Sequence, residues 1–162
     1  MSNFIRKLNR WIHKGTVLVL ILAAAVMSFS VFVQIVSRNI FSYSFEKFEE
    51  LPRFLLIWVT FLGAAYVFGE DGHLGVEFFV NLLPAKIKKY ATAVELAFDV
   101  LFMILMIVIG GQVSSLTMVQ KSLQLGVPVG LVYMIIPISG AIMLLIVVER
   151  VIDSFQSRRT HE

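Results

Sequence analysis

From Gly15 to Val36 the chain carries no charged residue. Wound as an α-helix, that run is about 33 Å long, enough to cross a hydrocarbon layer of about 30 Å. This stretch constrains everything else, because a soluble fold has no place for it. Composition agrees: 58% of residues are hydrophobic, and only 15% are charged, where a soluble domain carries about 25%. Mean hydropathy is +0.85. The chain therefore reads as an all-α membrane protein, a single membrane domain over residues 1–162, with little left over for a soluble domain.

Four spans are predicted, over about 15–36, 51–69, 93–116 and 127–148. Short amphipathic pieces lie between or before them. In residues 2–14, Phe4, Ile5, Leu8, Trp11 and Ile12 share one helical face, and Arg6, Lys7, Arg10 and Lys14 share the other. That is an interfacial helix attracted to anionic lipid. A cleaved leader ending at Ala23-Ala24-Ala25 is the competing reading, and the apolar run that continues to Val36 argues against it. Segments 44–50 and 75–83 repeat apolar residues at helical spacing and read as further interfacial pieces, with Ser44 as an N-cap and Pro84 as a stop. Pro52 suits the first turn of span two, and Pro137 falls inside span four, where it should kink the helix. Gly63-Ala64-Ala65 offers a flat patch for helix packing, and Gly110-Gly111 loosens the far half of span three.

Charge clusters at the span ends. Gln34 and Arg38 follow each other by four residues at the end of span one, and Glu49, Glu50 and Arg53 share a face at the start of span two. The plain reading is a helix end reaching water; the sharper one is a polar cluster that docks another protein at the membrane edge. Glu95 and Asp99 could be read as a cation site, but a span entry beside lysines is the natural place for carboxylates. His73 near Asp71 reads as a loop histidine rather than a metal ligand.

Four spans put both termini on one side. That side holds Arg6, Lys7, Arg10, Lys14, Lys86, Lys88, Lys89, Arg150, Arg158 and Arg159; the other holds Arg38, Lys47, Arg53 and Lys121. The positive-inside rule makes both termini cytoplasmic. The chain has no cysteine, so thiol chemistry and disulfides are excluded. No phosphate-cradling loop, catalytic triad or metal-ligand cluster is legible, so neither catalysis nor a cofactor is expected. The modest net charge of +3 is spread over helix ends and makes no nucleic-acid surface. Nor does the middle of any span hold the ionisable residue a coupled carrier needs.

The pattern Gln34-x-x-x-Arg38-x-x-Phe41, then Glu49-Glu50-Leu51-x-Arg53, then Trp58-x-x-Phe61-Leu62-Gly63-Ala64-Ala65, then His73 and Leu83-Pro84 resembles the small membrane subunit of tripartite ATP-independent periplasmic (TRAP) transporters. The likeness covers most of the chain. It departs from the pattern at Glu77, where an aspartate is usual, and at Pro52 within Glu-Glu-Leu-x-Arg. The resemblance implies a bacterial inner-membrane subunit of a sodium-driven symporter for an organic acid, such as a sialic acid or a dicarboxylate. A periplasmic binding protein would deliver the substrate, and Na+ would bind the large membrane subunit rather than this chain. Gln34, Arg38, Glu49, Glu50, Arg53, Gly63 and His73 would then serve structure or the partner interface. Lys47 and Lys121 would face the binding protein. Two rivals from other classes are a self-contained four-helix carrier acting as a homodimer, with Glu95 and Asp99 as its coupling site, and a membrane anchor or assembly factor.

Overall fold

In hydrocarbon no water is present to bond a free backbone N–H or C=O, so a spanning segment must close its hydrogen bonds within itself. The computed structural model meets that demand with helices. It describes residues 2–41, 46–71 and 85–159. Among them, α1 is Ser2–Phe41, α2 Glu46–Asp71, α3 Ala85–Thr117, α4 Val129–Tyr133 and α5 Ile135–Arg159. No strand forms among the described residues beyond a single antiparallel bridge between Lys121 and Pro128. Four segments are long and apolar enough to cross a membrane: Trp11–Ile40, Glu49–Glu70, Ala93–Thr117 and Val129–Glu149.

Three boundaries differ from expectation. The N-terminal amphipathic stretch 2–14 is not a separate element, because α1 runs unbroken through it for 40 residues. Gly15 is the weakest helix former at the junction and costs about 1 kcal/mol against alanine, too little to interrupt a helix with no proline nearby. Segment 44–50 is likewise absorbed: residues 46–50 form the start of α2, and 44–45 lie outside the described residues. Pro52 therefore sits inside α2 rather than in its first turn. Its missing N–H leaves the Phe48 carbonyl unbonded at the water-facing end of the helix, where solvent can replace it. Segment 75–83 lies outside the described residues.

Pro137 lies just after a division in its span. The helix is divided at Met134, between α4 and α5, three residues before the proline. Lacking an N–H, Pro137 cannot bond the Tyr133 carbonyl, so the ladder is interrupted there. Met134 keeps a helical backbone (φ −59°, ψ −21°), and its N–H bonds the Gly130 carbonyl at 3.0 Å. The axis therefore continues across the break.

α5 is the centre of the bundle. α1 packs along α2, α2 packs on α5, and α3 packs on α4 and α5. Ala65 and Phe68 of α2 meet Met103 and Met106 of α3 and Met143 and Val147 of α5 in the core. The flat patch expected at Gly63-Ala64-Ala65 resolves residue by residue: Ala65 is buried, Ala64 is exposed, and a Cβ on Gly63 would lie 4.0 Å from Leu20. The outward faces of α1 and α3, with Phe29, Phe32, Phe98 and Phe102, remain exposed. Apolar side chains on that perimeter suit acyl chains as solvent.

The tightest seam joins α3 to α4 and α5. A Cβ on Gly130 would stand 2.3 Å from the Ser114 carbonyl oxygen and 2.7 Å from the Met118 nitrogen. One on Gly110 would lie 2.8 Å from Ile136 Cγ2, and one on Gly140 3.0 Å from Met106 Cβ. Gly110 thus permits close approach rather than loosening α3. Gly111, its neighbour, would meet nothing within 4 Å. Gly130→Ala should lower stability by about 1–3 kcal/mol through overpacking, while Gly111→Ala, with open space for its methyl, should keep stability or raise it by up to about 1 kcal/mol. Thermal unfolding of the two variants in detergent measures the difference.

Candidate functional site

Polar side chains gather at the two ends of the bundle. At the end away from the termini, the chain leaves α3 and returns to α4 through residues 118–128. The Ser122 N–H bonds the Val127 carbonyl at 2.9 Å, the Gly126 N–H bonds the Ser122 carbonyl at 3.1 Å, and Val129 N–H bonds the Gln120 carbonyl at 2.8 Å. Gly126 has φ +68°, a left-handed conformation glycine adopts without strain. The turn points two amides at one place.

Glu50, in the second turn of α2, fills that place. Its Oε2 accepts the N–H groups of Gln124 and Leu125, each at 3.1 Å, and the hydroxyl of Ser122. Ser122 Oγ in turn accepts from the Leu125 N–H at 3.1 Å. A carboxylate on paired backbone amides is a charge-assisted bond, stronger than its neutral counterpart. Arg53, one turn on, adds a positive charge beside Glu50. The clamp joins α2 to a loop more than 70 positions away in sequence and fixes how that loop stands at the membrane surface. Glu50 thus serves the connection that follows α3.

The other expected site residues distribute as follows. Arg38 is exposed in the last turn of α1, where a cation favours the helix terminus. Gln34 and Glu49 are half-buried, and Arg53 is exposed. Lys121 is exposed on the clamped loop. Lys47 belongs to α2 by its backbone, but its side chain lies outside the described residues, as does all of His73. Glu95 and Asp99 are half-buried on α3.

At the opposite end, three helices enclose a cleft of about 430 Å³ that the sequence pattern did not single out. His13 Nε2 of α1 lies 3.0 Å from Glu70 Oε1 of α2, and its ring packs on Tyr66 with centroids 4.7 Å apart. Asn9 of α1 donates its amide N–H to Glu149 of α5. Thr16 is buried beside them, and Ile12, Ala65, Ile142 and Ile146 supply apolar lining. The signal was present: Asn9, His13 and Thr16 recur at spacings of four and three, a polar stripe on α1. Among the described residues, no three His, Asp or Glu side chains are grouped closely enough to hold a metal ion.

Removing the Glu50 carboxylate should free the loop without unfolding the bundle. In Glu50→Ala, the Leu125 and Gln124 amides should exchange with solvent at least about tenfold faster, while the core of α5 keeps its protection. Hydrogen exchange read by mass spectrometry compares the two regions directly.

Residues 27–157 match the family described as tripartite ATP-independent periplasmic transporters, DctQ component. A TRAP transporter small permease protein of Haemophilus influenzae is 39% identical over 79 residues, which are 49% of this chain and 49% of the relative. The sialic acid TRAP transporter permease protein SiaT, also of Haemophilus influenzae, is 31% identical over 87 residues, 54% of this chain and 13% of that longer protein. The matched part thus spans about half of the first relative and a small share of the second. A match over most of this chain, on four apolar helices, makes it a multi-pass membrane subunit and not an enzyme. The chain belongs to the DctQ family, the small permease subunits of TRAP transporters.

Proposed function

We propose that this chain braces the large membrane subunit of a sodium-coupled TRAP symporter for an organic acid and helps to dock the periplasmic binding protein. The family match supports the subunit role, and the relative named as a sialic acid permease supports the substrate class. The bias of Lys and Arg toward the terminus side supports an inner-membrane topology with both termini cytoplasmic. The clamped loop then faces the periplasm.

The observation that carries the reading is the Glu50 clamp. A carboxylate that fixes two backbone amides and a hydroxyl does no transport chemistry, but it gives a surface loop one conformation. A preformed loop is what a docking surface needs, since less ordering entropy is then lost on binding. Lys121 stands exposed on it. The uncharged middles of the spans fit the same division of labour, in which Na+ and substrate bind the large subunit.

A tagged chain drawn from its native membranes in mild detergent should bring a large membrane subunit with it in stoichiometric amount. A chain that arrives alone and transports cations in liposomes would establish the self-contained carrier instead. Within the assembled transporter, Lys121→Glu should slow association of the binding protein by about three- to tenfold at low salt, with the effect shrinking as salt rises. Association kinetics at two ionic strengths measure both.

A further inference from the structure

We propose that the cleft between α1, α2 and α5 binds the headgroup of an ethanolamine phospholipid, with its ammonium held by Glu70 and Glu149. Depth comes first. Glu50 and Glu70 are twenty residues apart on α2, about 30 Å along the helix, which is the thickness of the hydrocarbon layer. Glu50 meets the loop at one membrane surface, so Glu70 and the cleft lie in the headgroup layer of the other.

Charge comes second. The cleft brings two carboxylates, from α2 and α5, to one histidine from α1. Whether His13 is neutral or protonated, the sum over these three groups is negative. A carboxylate has about four acceptor positions, and His13 and Asn9 are the donors bonded to Glu70 and Glu149 here, so both keep capacity for further donors. A primary ammonium brings three N–H donors. A quaternary ammonium brings none, and a glycerol headgroup leaves its phosphate's negative charge unbalanced against two carboxylates. A bare cation would leave the apolar lining of the cleft uncovered.

Shape comes third. Ile142 and Ile146 of α5 and Ala65 of α2 line the cleft beside its polar groups. A free amine would leave that apolar lining unused; a lipid covers it with glycerol and the first acyl carbons.

The test uses the complete transporter, stripped of lipid in detergent, with native mass spectrometry reading what rebinds. Phosphatidylethanolamine should be retained at least about tenfold better than phosphatidylcholine or phosphatidylglycerol of the same acyl chains, the size expected when charged hydrogen bonds are lost. The double variant Glu70→Gln, Glu149→Gln should lose that preference while binding all three lipids weakly. Equal retention of the three lipids by the unaltered protein overturns the proposal, and this comparison needs no variant to fold. Retention of no lipid, as when the large subunit fills the cleft, overturns it too. So does soluble phosphoethanolamine binding as tightly as the lipid, which would assign the cleft to a free amine.

Discussion

A hydrocarbon layer offers a peptide group no hydrogen-bond partner, and the arrangement of polar atoms along this chain follows from that one fact. Hydroxyls within the spans turn back on their own helix: Ser30 bonds the Val26 carbonyl, Thr60 that of Leu56, and Thr117 that of Val113. Ser114 crosses instead to the Gly130 carbonyl of α4 at 2.7 Å, and it does so where the glycine lets the two backbones meet. In lipid, where burying apolar surface gives helices no reason to associate, such close contact and interhelical bonding are the available adhesives. The seam between α3 and α4–α5 is built from both.

Charged side chains, excluded from the middle, do their work at the two surfaces. At one, Glu50 gathers loop amides and gives a connection its shape. At the other, His13, Glu70, Asn9 and Glu149 tie three helices together around an open space. The ends differ in kind. The first is filled and rigid, its acceptor matched to donors already in place; the second leaves a volume with acceptor capacity facing into it.

The four spans were legible because length and hydropathy alone decide them. The boundaries between a span and its amphipathic neighbour were not. Residues 2–14 have the same helical periodicity whether they lie flat on the membrane or continue α1, and no breaker at Gly15 distinguishes the two. Pro137 announced a disturbance correctly, but its position relative to the division at Met134 depends on which carbonyl loses its donor. Glu50 was picked out by its charge at a span end. Its partners, Ser122 and the amides of Gln124 and Leu125, could not be read, because any of the loops on that side offers backbone donors. His13 escaped notice as one polar residue among basic ones, although its stripe with Asn9 and Thr16 was in plain view.

The central position of α5 has a consequence for how the molecule is made. A chain enters the membrane from its N-terminus, so α1 and α2 can pair as soon as both have emerged. α3 then waits, since the helices it packs on, α4 and α5, are synthesised after it. During that interval Gly110 and Ser114 face lipid, and the notch destined for Ile136 stands open. Biogenesis of this subunit therefore passes through a half-built stage whose exposed seam belongs to a helix not yet translated.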